Sequence, residues 1–405
     1  MSTANNSPLS TLNDPLPTGY KQTEVGIIPE DWDDTFLGEI TKLMTNGFVG
    51  TATSQYTEDD TGVLYIQGYN VEENSFNFRG VKFVNQTFHK AHSKSCLREG
   101  DLLTVQTGDV GLTTIVPKTM VGANCHALII SRFQKGRSNS RFISYYLNSM
   151  PGRARLKLIE VGTTMKHLNV GDMLQFKVPL PPTVAEQEAI AGALSDADAL
   201  IESLEQLIAK KRRIKEGAMQ TLLSGKKRLP GFSGEWGVKT LGEVLRIGHG
   251  RSQQAVIQEN GQYPILATGG QIGRSKDYIY NKPTVLIGRK GTINKPQYMD
   301  TPFWSVDTLF YTIINEPNSA KFLYYRFCLI DWMKHNEASG VPSLNAKTIE
   351  SLEVKIPEPA EQTAIAEILS DMDSEIDALE AKLRKARQIK QGMMQELLTG
   401  KTRLV

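Results

Sequence analysis

A chain of 405 residues, 40% hydrophobic and 22% charged, exceeds what one hydrophobic core organises and predicts two or three domains. It has no apolar run near the roughly 18 residues a membrane span needs and no signal-peptide pattern after Met1, which predicts a cytoplasmic protein with no membrane association. A net charge of +2 and only three cysteines, Cys96, Cys125 and Cys328, without CxxC spacing, exclude a uniformly basic nucleic-acid binder, a disulfide framework and a zinc knuckle.

In chain order, residues 1–19 are polar and rich in Ser, Asn, Thr and Pro, and read as a disordered lead. A first globular domain is predicted over 20–182, opening with DWDDTFLGEI (Asp31 to Ile40). Its middle carries DLLTVQTGDVG (Asp101 to Gly111), an apolar strand running into a glycine turn, and it closes with HLNVGDMLQFKVPLP, a short "LN" turn and then a strand that stops at proline. A long helix with its linker follows over 183–229. A second domain over 230–357 opens with EWGVKTLGEV (Glu235 to Val244), passes through TVLIGRKGTIN (Thr284 to Asn294), and closes with SLNAKTIESLEVKIP. A second long helix occupies 358–405.

The two helices are copies. Shifted by 175 residues, Glu186 to Leu229 matches Glu361 to Leu404 at 25 of 44 positions without a gap. A period this long marks a duplicated domain, because solenoid repeats run to ~20–50 residues. Apolar residues recur at alternating spacings of four and three in each copy: Ile190, Leu194, Ala197, Ile201, Leu204, Ile208, and Ile365, Leu369, Met372, Ile376, Leu379, Leu383. This heptad seam predicts a coiled coil. It loses register near Lys211 and Ala386 and resumes one residue early, at Ile214 and Ile389, where a further partner could begin. Gly225 and Gly400 stand where each helix stops, so at ~1.5 Å per residue each rod spans roughly 58 Å. Each rod is acidic first and basic last, from Glu186, Asp196 and Asp198 to Lys211, Arg212 and Lys215 in the first copy. Antiparallel pairing sets acid against base, so an antiparallel pair is predicted.

Motifs for catalysis are weak. GKT at Gly400 to Thr402 lacks the first glycine of a phosphate loop, since Gln395 stands there, and it follows a helix. His89, His92 and Cys96 have loosely metal-like spacing without a fourth ligand, and the histidines read as polar surface residues. Glu353-Val354-Lys355 resembles a nuclease ExK, but ordinary strand alternation accounts for it equally. No glycine-rich methyl-donor loop or [ND]PP[YF] is present. What can read nucleic acid is the set of polar, glycine-rich loops in the two variable domains, whose residue types contact phosphates and base edges. The candidates are Gln67, Tyr69, Asn70, Gln106, Thr107, Thr164, Lys166 and His167 in the first domain, and Arg251, Gln271, Arg274, Lys276, Arg289 and Lys290 in the second. A stand-alone site-specific nuclease or methyltransferase and a coiled-coil protein tether are the rival readings.

YKQTEVGIIPEDW near the start, two variable domains each followed by PxxxEQxAIAxxLSDxDxxIxxLE, and IKxGxMQxLLxGKxRL closing both halves resemble the specificity subunit of type I restriction-modification systems. The resemblance runs from Tyr20 to the end. It implies an α+β fold: two homologous α/β target recognition domains joined by two long antiparallel coiled-coil helices in a pseudo-two-fold arrangement. Each domain would read one half of a bipartite, asymmetric target in double-stranded DNA, and the helices would set the spacer. It implies no catalysis and no cofactor in this chain. Two modification subunits would bring S-adenosylmethionine, and two restriction subunits would bring ATP and Mg. Carried onto this sequence, it makes Ile214, Met219, Leu222, Leu223, Ile389, Met394, Leu397 and Leu398 candidate docking residues for modification subunits.

Overall fold

The computed structural model describes residues 16–58, 61–163 and 166–404. Most of the predicted polar lead, and the candidate contact Thr164, lie outside these residues. The described chain forms two compact units. One contains the chain up to Ser203 together with the residues from Leu383 on, and the other is Leu204–Lys382. Among the described residues no helix is long and apolar enough to cross a membrane.

The first unit is built on a four-stranded antiparallel sheet in the order Thr113–Ile115, Leu102–Val105, Leu128–Phe133, Thr41–Asn46. A three-stranded sheet lies beside it, ordered Asn124–Cys125, Val63–Ile66, Lys82–Val84. The second unit repeats the plan, with Leu245–His249, Leu309–Ile314, Thr284–Gly288, Gln297–Met299 in one sheet and Gly270–Ser275, Tyr263–Ala267, Trp304–Ser305 in the other. The two sequences that share only an outline, DLLTVQTGDVG and TVLIGRKGTIN, are therefore equivalent strands. Val105 pairs with Leu128 as Gly288 pairs with Leu309.

Each unit is closed by an outer pair of strands, Asp33–Phe36 with Lys177–Leu180 and Gly237–Thr240 with Glu353–Ile356. In the latter, Glu353 and Lys355 face outward while Val354 and Ile356 are buried, the period of two that a strand imposes. The "LN" segments do not pass straight into these strands. A short helix intervenes, Val170–Leu174 in one unit and Ala346–Glu350 in the other, begun by the Asn and too short for its periodicity to be legible.

The long helices run Val184–Leu222 and Pro359–Leu397, 39 residues each. Along the predicted seam Ile190, Leu194, Leu204, Ile208, Ile365, Leu369 and Ile376 are buried. Within the first unit, Ile190 and Leu194 share a core with Leu397 and Leu398, and Asp198 pairs with Lys390. Within the second, Ile365 and Leu369 share a core with Leu222 and Leu223. There Lys211 meets Glu375 and Arg212 meets Glu380, each at 2.6 Å, and Lys215 meets Asp373. Rising numbers on one helix face falling numbers on the other, so the pairing inside each unit is antiparallel, as the charge gradient predicts. The more exposed of these pairs, such as Arg212 with Glu380, contribute about 0–1 kcal/mol each, so they select orientation more than they stabilise.

The helix ends are tied into the cores by the same device in both units. Gly225 and Gly400 adopt positive φ, +71° and +70°, the conformation a helix stop needs and side chains resist. A Cβ on Gly225 would lie 3.3 Å from the Trp236 ring, and one on Gly400 would lie 2.5 Å from Pro29 and 3.2 Å from Trp32. Just beyond, the Arg228 guanidinium donates to both Glu361 carboxylate oxygens at 2.7 Å, and Arg403 grips Glu186 in the same two-pronged way. The two carboxylates are 2% and 1% exposed.

Arg403 also donates to Asp31 at 2.9 and 3.0 Å. These hydrogen bonds hold the Asp31 carboxyl below its usual range. Its stabilising contribution is therefore present above about pH 4 and is lost as acidification passes its lowered folded value. Arg403→Ala should return the Asp31 carboxyl to the ordinary range. Carboxyl-carbon NMR titration checks this, and an unchanged Asp31 titration would refute the assignment.

Candidate nucleic-acid interface

In each unit the loops that carry most of the candidate contacts converge on one end of the four-stranded sheet. Strand registers place them there. In the second unit His249 pairs with Phe310 and Gly288 with Leu309, so the chain beyond His249 and the chain beyond Gly288 leave the sheet at the same end. Arg251 follows the first strand and donates its backbone N–H to Ser305 O at 2.8 Å, while Trp304 Nε1 donates to the Arg251 carbonyl at 3.0 Å. Arg289 and Lys290 follow the second strand, and both backbone amides donate to Thr308 O. The hairpin tip at Thr268 sits against this loop, with its side chain 3.0 Å from where a Cβ on Gly288 would stand.

The same end of the first unit holds Gln106 and Thr107, the residues directly after the equivalent strand. The turn of Gly68 lies next to them, since a Cβ there would come within 3.5 Å of Thr107 O. Gln106 is half-buried and Thr107 exposed. In both loops the next residue is a positive-φ glycine, Gly108 at +90° and Gly291 at +87°. A side chain here would strain the turn that presents its two predecessors.

A second segment completes each edge. Thr107 bridges to His167 and Lys290 bridges to Ser343. Leu168 N donates to Gln106 O at 3.1 Å, and Leu344 N donates to Arg289 O at 2.9 Å. The residues just before each "LN" therefore lie alongside the glycine loop. In the second unit this segment is a small loop pinned by Asn336, whose Oδ1 accepts from Ala338 N at 3.1 Å and Ser343 N at 2.9 Å. Its tip leaves Val341 67% exposed. Sequence reasoning named Lys166 and His167 but missed Val341 and Ser343. The likeness of HLNVGDMLQFKVPLP to SLNAKTIESLEVKIP already pairs His167 with Ser343, and that pairing was the available signal.

Other candidates have structural duties. Asn70 is fully buried; its Oδ1 accepts from Gln67 N at 3.1 Å and its Nδ2 donates to Asn77 O at 2.8 Å. It holds the 67–70 turn and is not free to meet a base. Tyr69 is 50% exposed and donates to Gly80 O at 2.7 Å, while Gln67 Nε2 donates to the Tyr69 hydroxyl at 3.3 Å. Lys166 is exposed and pairs with Glu160 at 3.2 Å. Arg274 spends its guanidinium on Gly261 O at 2.5 Å and Gln262 O at 2.9 Å. Arg274 lies away from the hairpin tip, because the register joins Ala267 to Gly270 beside the tip and Pro264 to Arg274 toward its base. Lys276 lies beyond it on the same side, whereas Gln271 is exposed near the tip and donates to Gly273 O at 3.2 Å.

The predicted docking residues divide. Leu222, Leu223, Leu397 and Leu398 are at most 6% exposed and belong to the unit cores. They are interior residues of this chain and not a free handle, because the helix end carrying them turns into the sheet domain. Met219 and Met394 pack against the same cores. Ile214 and Ile389 remain exposed, at 47% and 52%. His89 and His92 are half-buried. His89 is hydrogen-bonded to Asn124, and His92 to Phe88 O at 2.9 Å while stacking on the Phe88 ring, so they are structural and not surface residues.

Comparison with known proteins gives one consistent picture. The sequence profile of the type I restriction modification DNA specificity domain matches residues 29–211 and 233–390. The putative type I restriction enzyme MjaX specificity subunit of Methanocaldococcus jannaschii is 24% identical over 425 residues, covering 95% of this chain and 97% of that one. The MjaIX specificity subunit of the same organism is 20% identical over 426 residues, covering 96% and 97%. In fold, the chain resembles the crystal structure of the type I restriction-modification S subunit from M. genitalium. That match has a TM-score of 0.65 and 18% identity, and it covers 90% of this chain and 96% of that one.

Proposed function

This chain belongs to the type I restriction-modification DNA specificity family, and from that premise we propose how it reads DNA and what it assembles with. Its role is DNA sequence recognition, and two matched domains fit a target in two parts. Each unit presents the loop end of its four-stranded sheet to one half of a bipartite, asymmetric duplex target. The long helices set the spacer between the halves. The observation that carries this reading is the repeated edge: one backbone arrangement in both units holds Gln106 and Thr107 in one and Arg289 and Lys290 in the other. A constant frame with varied side chains is what two half-sites of different sequence require.

The chain itself performs no chemistry in this proposal. It assembles with two modification subunits, which hold S-adenosylmethionine and methylate the target, and with two restriction subunits, which hold ATP and Mg. The exposed helix positions around Ile214 and Ile389 are the surfaces offered to the modification subunits. Contacts to phosphates supply affinity that falls with salt, and contacts to base edges supply the sequence preference.

The test is binding of the purified chain, alone and with a modification subunit, to a random-sequence duplex library at fixed salt. A two-part consensus is expected, and one heptad inserted into each long helix should lengthen its spacer. Methyl transfer or cleavage by the chain alone would overturn the reading in favour of a free-standing enzyme. Absence of any preference in the complex would favour a protein tether, and an unchanged spacer would refute the ruler.

A further inference from the structure

We propose that Gln106 and Arg289 are the same reading position in the two units, and that their difference makes one half-site adenine-specific and the other guanine-specific at the base pair they meet. This rests on the DNA-recognition reading above and names its chemistry. Three independent registers equate the two residues. Each is the first residue past a strand whose last residue, Val105 or Gly288, pairs with Leu128 or Leu309. Each carbonyl accepts from the leucine of an "LN" turn, at 3.1 Å from Leu168 and 2.9 Å from Leu344. Each stands two residues ahead of a positive-φ glycine.

The side chains at this position are available. Gln106 has no side-chain hydrogen bond among the described residues and is half-buried. Its carboxamide can donate and accept at once, the pattern that adenine N7 and N6 complement in the major groove. Arg289 spends one guanidinium nitrogen on a long 3.3 Å contact to Asp307 O and stands 5.9 Å from the Phe310 ring. That contact orients the group and leaves donors for a two-pronged bond to guanine O6 and N7. The neighbouring bridge residues differ as well, Thr107 with His167 in one unit and Lys290 with Ser343 in the other. Lys290 is the phosphate-type neighbour, exposed on the loop beside the base reader.

The experiment selects from a random duplex library with the full chain in complex with a modification subunit, comparing wild type, Arg289→Gln, Arg289→Lys and Gln106→Arg. Arg289→Gln should change one base-pair position of one half-site from guanine toward adenine, with about a 10- to 100-fold loss on the original target. Gln106→Arg should make the reverse change in the other half-site. Arg289→Lys keeps the charge but loses the fork, and should weaken that one position without affecting binding to unrelated sequence.

Several results would overturn the proposal. One is an unchanged consensus in Arg289→Gln and Gln106→Arg. Another is equal loss on all sequences by variants whose thermal unfolding matches wild type, which would make these residues phosphate contacts. A wild-type complex with no consensus would remove the recognition reading and this proposal with it.

Discussion

Arg403→Ala should destabilise the chain by about 3 kcal/mol, and Arg228→Ala should destabilise it in the same direction. Each substitution strands a carboxylate, Glu186 or Glu361, that is 1% or 2% exposed. Removing one partner of a buried pair costs about 3–5 kcal/mol, and the lower end applies to Arg403 because it is itself 29% exposed. For units of this size that is roughly 6–12 °C in the unfolding midpoint. The loss has a further cause in each unit, since Arg403 stands 5.8 Å over Trp32 and Arg228 stands 6.0 Å over Trp236. Truncation removes that packing too. Pairing Arg403→Met with Glu186→Met should recover most of the stability, because replacing both charges leaves no buried charge unpaired, the Asp31 carboxylate that also loses Arg403 being 54% exposed. A midpoint for Arg403→Ala within about 1 °C of wild type by calorimetry would mean that the clasp is ornamental.

The second large effect divides the repeated terminal motif in two. Leu223→Ala and Leu398→Ala remove side chains that are 0% exposed and should cost about 2–5 kcal/mol each. Leu223 is buried among residues that include Leu241, Ile365 and Leu369, and Leu398 among Ile28, Trp32 and Ile190. Ile214→Asp and Ile389→Asp, on the exposed part of the same motif, should change stability by no more than about 0.5 kcal/mol. If the proposed assembly is right they should instead weaken capture of a modification subunit, as read by co-purification of the folded variants. Equal destabilisation by all four substitutions would erase the distinction between a core residue and a handle residue.

That distinction also shows why the motif read differently in one dimension. IKxGxMQxLLxGKxRL is repeated for two reasons, and only one was legible. Its glycine stop follows from local backbone rules, so Gly225 and Gly400 were predictable. Its lysine, its leucines and its arginine act over long separations. Lys390 pairs with Asp198, which also accepts from the Tyr145 hydroxyl at 2.8 Å, and Lys215 repeats this with Asp373, which accepts from Tyr325 at 2.7 Å. Burial and the carboxylate beside them push both phenols up in pKa. No pattern within a single helix announces such partners.

What the sequence determined by itself was everything that repeats or has a short period: the duplication, the heptad seam, the antiparallel choice and the glycine stops. Each rests on neighbours within a few turns or on the alignment of two copies. Only the tertiary structure decided which apolar residues of the motif face inward, which basic residues are spent on carbonyls or carboxylates, and which loops share an edge. Those outcomes depend on contacts such as Arg403 with Glu186 or Lys290 with Ser343. Sheet register and burial bring these residues together, and sequence spacing carries no trace of the distance between them.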